Sequence, residues 1–219
     1  MSESQIINQS TPAKKKRKQF CFTGRNLENA RALLLEITAM LDAAGIDYML
    51  DAGTLLGIVR DGDLIPWDSD LDITIPSRGL PKLLEVLRQG RMRHRWISRR
   101  FFLSGFDCWK LGDYRAVKIR DRRWWFFKGP LVADLYIKYP WQGAYYWSSM
   151  RMVSKADARY FDSWEEVEYF GRRLKVPAFY KDYLATIYGD WRTPRKDYKP
   201  QSEDGTIIGS LADLSVKNP

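Results

Sequence analysis

The chain has 219 residues, 45% of them hydrophobic and 14% aromatic, and a formal net charge of +9 at pH 7. That length suits one sizeable core, and the composition excludes a disordered or fibrous protein. A mean hydropathy of −0.44 and the lack of a long apolar run exclude a membrane-spanning helix.

The first predicted feature in chain order is a polar tail over residues 1–24. It carries the basic run Lys14 to Lys18 and shows no hydrophobic period, so we expect it to be flexible. Each cation near an anionic bilayer gains roughly 1 kcal/mol, so the tail predicts peripheral contact with an anionic membrane. Residues 25–219 are predicted to form one domain.

The domain is predicted to contain both helices and strands. The first helix begins after an N-cap at Asn26 and ends at Gly45, and the last begins with Pro177 and ends at Tyr188. Between them the hydrophobic periods predict a strand over 47–52, a short helix from Gly53, a strand over 70–75, a helix over 79–90, and strands over 114–120, 124–127 and 131–139. This order predicts an α+β fold with a mixed sheet flanked by helices.

Three carboxylates, Asp68, Asp70 and Asp72, stand at the start of the predicted strand 70–75. Because side chains alternate across a strand, Asp70 and Asp72 are expected on one face, about 7 Å apart, where their charges repel each other. A divalent cation offsets that repulsion, and Mg²⁺ is typically held by one or two carboxylates together with substrate phosphates. Asp68 is either a further ligand or a turn residue.

Asp134 is the predicted third acid of this site. It lies in the otherwise apolar strand 131–139, where a surface charge would be out of place, so it either completes the metal site or pairs with a core Arg or Lys. Upstream, Gly53 and Thr54 lie where a strand gives way to a helix, a geometry that offers N–H groups and a hydroxyl to a phosphate. The combination predicts phosphoryl transfer, in which a protein mostly positions groups and neutralises charge.

The segment "GTLLGIVRDGDLIPWDSDLDI", residues 53–73, resembles the signature of the LicD family, to which fukutin and fukutin-related protein also belong. In that family Gly-Thr-Leu-Leu-Gly and Pro-Trp-Asp-x-Asp-x-Asp-Ile recur together. The segment "VADLYI", which supplies Asp134, and residues 176–194 resemble two further family motifs. The resemblance covers about residues 27–195, and it departs from the family at Ala133, directly before the strand acid.

The resemblance implies a nucleotidyltransferase-like fold and a phosphotransferase that depends on Mg²⁺ or Mn²⁺. It implies a CDP-linked donor, from which phosphocholine, ribitol-phosphate or a similar group moves to a hydroxyl of a cell-surface glycan or lipid-linked glycan acceptor. Asp70 and Asp72, with Asp68 as an extra ligand, would hold the metal against the donor diphosphate. Asp134 would complete the metal site or accept the proton of the attacking hydroxyl.

The donor phosphates are assigned to a second set of residues. By resemblance, Gly53, Thr54 and Arg60 would contact them. Lys118 and Arg120 lie on the predicted strand 114–120, near Asp134, and would neutralise charge in the transition state. The alternative for these two cations is a solvated strand edge.

Two other functions stay open at this point. The same acids would serve a nucleotidyltransferase that moves a nucleoside monophosphate from a nucleoside triphosphate to a small acceptor. Arg clusters that alternate with aromatic residues fit a basic nucleic-acid-binding module, although we do not expect nucleic acid because acids in the pocket repel its backbone.

The two cysteines form no ligand cluster, and no apolar stretch follows the N-terminal charges. We therefore expect a cytoplasmic protein, with its tail at the inner face of the membrane.

Overall fold

The computed structural model describes residues 20–123, 127–149 and 151–215. The helices are α1 (Arg25–Ala43), α2 (Ala52–Asp61), α3 (Leu80–Arg88), α4 (Tyr180–Tyr188), α5 (Pro200–Glu203) and α6 (Leu211–Ser215). The strands are β1 (Met49–Leu50), β2 (Asp70–Pro76), β3 (Trp96–Phe101), β4 (Tyr114–Arg123), β5 (Phe127–Trp141), β6 (Ala144–Ser149), β7 (Met152–Asp157), β8 (Trp164–Tyr169), β9 (Arg172–Pro177) and β10 (Ile207–Ser210).

The long strand β5 is the centre of the main sheet. It pairs in parallel with β2, from Asp70 opposite Val132 to Pro76 opposite Lys138, and in antiparallel with β4. The sheet extends past β2 to β1, past β4 to β3, and from the far end of β5 through β6 and β7 to β10. β8 and β9 form a separate hairpin. Since parallel and antiparallel pairs occur in one sheet with helices around it, the predicted α+β class is confirmed.

The apolar core determines which way the acids of β2 face. α1 buries one stripe of residues at helical spacing, including Leu33, Ile37 and Leu41, against the sheet. β2 contributes Leu71 and Ile73 to the same core. The positions that alternate with these two residues therefore lie on the opposite face of the sheet, away from the core.

Most of the predicted elements are confirmed, and α1, β1, α2, β2, α3, β4 and β5 lie where the sequence predicts them. The cap of α1 is Gly24 and not Asn26, whose side-chain amide donates to the Cys21 carbonyl. The prediction for Pro177 is wrong, because this residue ends β9 and α4 begins at Tyr180. The sequence patterns do not predict β3 or the five strands from β6 to β10.

Some predictions fall on residues outside the described ranges. The basic run Lys14 to Lys18 is one of them, and the predicted strand 124–127 is described only at Phe127, where β5 begins. In the described ranges, none of the helices is long and apolar enough to cross a membrane.

Candidate active site

A cavity of about 780 Å³ opens beside the start of α2 and the first residues of β2. β4, β5 and β6 supply further walls, and the segment from Tyr188 to Leu211 closes one side. The charged and aromatic lining residues include Asp51, Arg60, Trp67, Asp68, Asp70, Asp72, Arg115, Lys118, Asp134, Tyr136, Trp147, Arg151, Tyr183, Tyr188, Asp190, Trp191, Arg195, Lys196 and Tyr198.

Four carboxylates form the floor of this cavity. The parallel ladder places Asp72 directly opposite Asp134, in strands that lie about 4.8 Å apart. Asp70 is two residues earlier on the same face of β2, and Asp68 joins from the preceding loop, where its Oδ1 accepts a 2.8 Å hydrogen bond from the Ser69 N–H. The structure thus brings all four predicted acids to one place.

Burial and mutual repulsion raise the pKa values of three floor acids. Burial, and then the charge of Asp70, raises the pKa of Asp68 to about 7. Burial and the charge of Asp134 raise the pKa of Asp70. Burial and the charges of Asp70 and Asp68 raise the pKa of Asp72 well above its ordinary value. A bound cation would offset this repulsion.

Asp134 has one oxygen that is paired and one that has no partner among the described residues. It is 2% exposed, and the Lys118 ammonium lies 2.5 Å from its Oδ2 atom. The Tyr136 hydroxyl donates to the same oxygen over 3.5 Å. Its other oxygen, Oδ1, is buried without a hydrogen-bond partner in the described part of the chain. Asp134 is therefore paired with a cation through one oxygen and has the other available to a ligand.

The cavity floor fits a divalent metal in the chemistry of its donors but not in the present arrangement of its side chains. As the side chains stand, no group of three or more His, Cys, Asp or Glu residues within the described ranges is arranged to hold a metal ion. The chemistry of the donors does fit, because carboxylate oxygens are the ligands that Mg²⁺ and Mn²⁺ prefer and Asp134 Oδ1 lacks a partner. Mg²⁺ at this floor stays a prediction.

The start of α2 explains the two glycines of the first motif. A Cβ atom at Gly53 would lie 2.1 Å from Asp68 Oδ2, so the missing side chain is what lets this carboxylate pack against the helix. A Cβ atom at Gly57 would lie 2.6 Å from the backbone oxygen of Asp63, which makes Gly57 a packing residue. Gly53 lines the cavity, as its predicted role requires.

Thr54 has a different position from the predicted one. It is buried, it does not line the cavity, and its hydroxyl accepts a 2.9 Å hydrogen bond from the Asp72 N–H. The hydroxyl therefore anchors β2 beneath the site, and the structure does not bring it to a donor phosphate.

Two of the three predicted cations line the cavity. They are Lys118 and Arg60, and the Arg60 guanidinium forms two hydrogen bonds of 2.8 and 2.7 Å with the Asp61 carboxylate. Arg120 lies opposite Val132 on the ladder and does not line the cavity, so its predicted contact with the donor is not supported by its position.

Several cavity residues were not predicted from the sequence, and Asp51 and Arg115 are two charged examples. Asp51 caps α2 by accepting from the Ala52 N–H, and an Asp directly before a helix start is a signal that could have identified it. Arg115 lines the cavity from β4 and donates to the Ser148 carbonyl over 3.4 Å. No local pattern distinguishes Arg115 from the other arginines nearby.

Comparison with known families matches residues 45–179 to a model described as LicD/FKTN/FKRP, nucleotidyltransferase domain. Two curated relatives, Ribitol 5-phosphate transferase FKRP of Mus musculus and of Homo sapiens, are each 51% identical over 39 residues, which are 18% of this chain and 8% of each relative. Uncharacterized protein RP689 of Rickettsia prowazekii is 33% identical over 72 residues, which are 33% of this chain and 27% of that protein. The matched stretch is thus less than a third of each relative.

Similar solved structures include the lincosamide antibiotic adenylyltransferase LnuA, with 13% identity and a TM-score of 0.44, over 69% of this chain and 82% of that one. A second is ANT(2")-Ia in complex with adenylyl-2"-tobramycin, with 15% identity and a TM-score of 0.41, over 79% and 83% of the two chains. An antigenic nucleotidyltransferase-like protein from Paracoccidioides brasiliensis has 13% identity and a TM-score of 0.43, over 80% and 72%. At these identities and TM-scores the likenesses carry no conclusion about this chain.

Proposed function

Since the chain belongs to the LicD family of nucleotidyltransferase domains, we propose that it moves a phospho-alcohol group from a CDP-linked donor to a hydroxyl of a glycan or lipid-linked glycan. Similarity to the FKRP transferases supports phospho-alcohol transfer in general. The observation that carries the proposal is the position of Asp72 beside Asp134 on the floor of a cavity of about 780 Å³. That volume suits a nucleotide-sized ligand.

The proposed cofactor is Mg²⁺ or Mn²⁺. Asp70, Asp72 and the unpartnered Oδ1 of Asp134 would hold it, with Asp68 as an additional ligand. When bound, the metal would neutralise phosphate charge and orient the phosphoryl group for attack. The raised pKa values of Asp68, Asp70 and Asp72 support a site that is completed by a cation.

The proposed reaction is a displacement at the phosphorus that carries the alcohol. The acceptor hydroxyl oxygen forms a bond to this phosphorus, the bond from phosphorus to the CMP oxygen breaks, and CMP leaves with the electron pair. The proton of the hydroxyl goes to a floor carboxylate. Asp134 takes this role as the alternative to metal ligation, because it has one oxygen, Oδ1, without a hydrogen-bond partner within the described ranges. Lys118 and Arg60 would offset negative charge on the transferred group.

We also propose a place of action and a class of partner. Cys21 and Cys108 are both free thiols, which supports the cytoplasm, where thiols stay reduced. The acidic floor disfavours nucleic acid as the occupant of the cavity, since its backbone would be repelled. The proposed partners are therefore the CDP-linked donor and a glycan acceptor.

The experiment that tests this function is mass spectrometry of incubations with CDP-ribitol, CDP-choline and CDP-glycerol and candidate glycans. CDP-ribitol comes first, because the FKRP relatives are named as ribitol 5-phosphate transferases. We expect the acceptor to gain the mass of one phospho-alcohol while CMP appears, and a chelator to abolish both. An acceptor that instead gains a nucleoside monophosphate from CTP or ATP would identify the nucleotidyltransferase alternative and refute the proposal.

A further inference from the structure

Arg115 reaches the cavity through an irregularity in β4. Two consecutive residues of β3 pair with Ala116 and with Tyr114, so Arg115 between them is an extra residue without a partner on β3. With regular alternation its side chain would share the face of Val117, which is fully buried in the apolar core. A β-bulge can redirect a side chain, and Arg115 lines the cavity instead.

The charge of Arg115 is not neutralised by the protein. Its guanidinium donates to the Ser148 carbonyl over 3.4 Å, and it forms no ion pair with a carboxylate in the described part of the chain. The two cations assigned to the donor, Arg60 and Lys118, are each paired with a carboxylate. Arg115 is therefore available to an external anion.

Ser148 adds a hydroxyl beside this guanidinium. The residue lines the cavity and is 1% exposed, yet its Oγ atom is buried without a hydrogen-bond partner within the described ranges. A buried hydroxyl without a partner is unfavourable, so a ligand that accepts its hydrogen bond would be stabilising. We call Arg115 and Ser148 the wall pair. Together they offer N–H and O–H donors, which are the groups that bind an oxyanion.

The wall pair is connected to the acidic floor by two hydroxyls. Ser149 follows Ser148 on β6, and its hydroxyl lies 3.2 Å from that of Tyr136. The Tyr136 hydroxyl in turn donates to Asp134 Oδ2 over 3.5 Å. A ligand held at the wall pair therefore lies beside the carboxylate at which the acceptor hydroxyl is expected to react.

An anion at the wall pair is distinct from the donor diphosphate. Arg115 and Lys118 are three residues apart on β4, which corresponds to about 10 Å along a strand. The two phosphates of a CDP-linked donor share one bridging oxygen, and the metal, Arg60 and Lys118 already offset their charge. Cytidine and the transferred alcohol carry no further negative charge. The anion must therefore belong to the acceptor.

We propose that the wall pair binds a phosphate group of the acceptor, an inference that rests on the proposed function. The two donors come from different strands, β4 and β6. A tetrahedral phosphate directs its oxygens to more than one side, whereas the oxygens of a carboxylate lie in one plane. The acceptor is thus a phosphorylated polyol or glycan, held by its phosphate while its hydroxyl faces the floor.

The test is isothermal titration calorimetry of the full chain with glycerol 3-phosphate in the presence of a chelator. Without a metal the acidic floor repels anions, so binding reports on the wall pair. We expect saturable binding, about tenfold weaker in Arg115→Gln and about threefold weaker in Ser148→Ala. Glycerol and glycerate, the neutral and the carboxylate counterparts, should bind more weakly than glycerol 3-phosphate.

Arg100 is the matched control for charge. It lies on β3 opposite Ala116, next to the bulge, and it is exposed and does not line the cavity. Arg100→Gln removes one positive charge, as Arg115→Gln does, but it should leave the affinity for glycerol 3-phosphate unchanged. Ser148→Ala removes an unpaired buried hydroxyl, so its melting temperature should be equal or higher while binding falls. A purely structural Ser148 would not produce that combination.

Kinetics distinguishes this inference from the proposed function. With a CDP-linked donor and a phosphorylated acceptor, Arg115→Gln should raise the KM of the acceptor about tenfold and leave the KM of the donor unchanged. If no group is transferred while glycerol 3-phosphate still binds at the wall pair, the proposed function is refuted and the phosphate site is retained.

Three outcomes would overturn the proposal. The first is no saturable binding of glycerol 3-phosphate, or equal binding by the wild type and Arg115→Gln. The second is an equal loss in Arg115→Gln and Arg100→Gln, which would indicate a general effect of net charge. The third is binding of glycerate as tight as that of glycerol 3-phosphate, which would assign the wall pair to a carboxylate. Circular dichroism of each variant verifies the fold.

Discussion

Two acidic regions of the sheet differ in how their charges are satisfied. In the first, a buried network, the two oxygens of Asp51 receive the Ala52 N–H, the Thr74 and Tyr183 hydroxyls and the Lys138 ammonium, at 2.7 to 2.9 Å. Burial alone would raise the pKa of Asp51, but the charge and hydrogen bond of Lys138 lower it below its ordinary value. This carboxylate has all the donors that it can use.

The second region is the cavity floor, where donors are fewer. Ser69 supplies its N–H to Asp68 and its hydroxyl to Asp70, and the pKa values of both acids are raised. The two regions are close together, since the Asp51 N–H donates to the Asp72 carbonyl over 3.0 Å. The two regions use carboxylates in two ways. A fully paired carboxylate holds elements of the fold together, whereas a carboxylate that lacks donors is available to a ligand.

The largest effect is expected when the floor is changed and the network is left intact. Asp72→Asn should lower turnover by several orders of magnitude, because it removes a proposed metal ligand. It should leave the melting temperature equal or higher, because it also removes repulsion between floor acids. Initial rates and calorimetry measure the two effects. Asp47→Asn, a change in a surface carboxylate that pairs with Arg78, is the control. Wild-type turnover in Asp72→Asn would refute its role.

The converse change breaks the network. Lys138 is fully buried, with its ammonium 3.7 Å from the centre of the Trp147 ring and 4.2 Å from that of Phe161. Lys138→Met leaves the Asp51 charge buried without its cation, so the free energy of unfolding in urea should fall by about 3–5 kcal/mol. The double variant Asp51→Asn/Lys138→Met should lose less than the sum of the single losses. A loss under about 1 kcal/mol in Lys138→Met would mean that the pair adds little.

Smaller effects on stability and turnover are expected from substitutions at the two motif glycines, Gly53 and Gly57. Gly57→Ala meets backbone atoms of Asp63 and Ile65, so we expect it to lower the free energy of unfolding by about 1–3 kcal/mol. Gly53→Ala meets only the Asp68 carboxylate, which can move. It should therefore lower turnover, but it should lower the free energy of unfolding less than Gly57→Ala does. Urea unfolding and initial rates of both variants provide the measurement. The interpretation fails if Gly53→Ala is the less stable of the two.

The smallest expected effect is that the contributions of Asp68 and Asp51 to stability change with pH in opposite directions. Because the folded-state pKa of Asp68 is about 7, against about 3.9 for an unfolded chain, its contribution to stability is present below about pH 4 and is lost as the pH rises toward 7. Asp51 has the opposite sign, since its lowered pKa gives a contribution that is lost only in acid. In chelator, lowering the pH from about 8 to about 5 should raise the melting temperature by a few degrees in the wild type, and less in Asp68→Asn. Equal slopes in calorimetry would contradict this.

The sequence alone determined the features that depend on local periodicity. Residues that alternate with period two place Asp70 and Asp72 on one face of β2 whatever the rest of the chain does. The same kind of pattern identified α1, α3 and the apolar strand that carries Asp134, because one buried face recurs at a fixed spacing. β6 was not recognised, since five of its six residues are buried and its sequence "AYYWSS" shows no alternation.

Only the tertiary structure decided which carboxylates are paired and which are available. Asp51 accepts a hydrogen bond from Tyr183, 132 residues away along the chain, and Asp134 is paired through one of its two oxygens with Lys118 on the neighbouring strand. The segment from Tyr188 to Leu211, which closes the cavity, lies outside the region matched to the family. A local pattern reports which face of an element is buried, but the pairing of a charge depends on donors brought together by the folded chain. The distinction between the network and the floor therefore exists only in three dimensions.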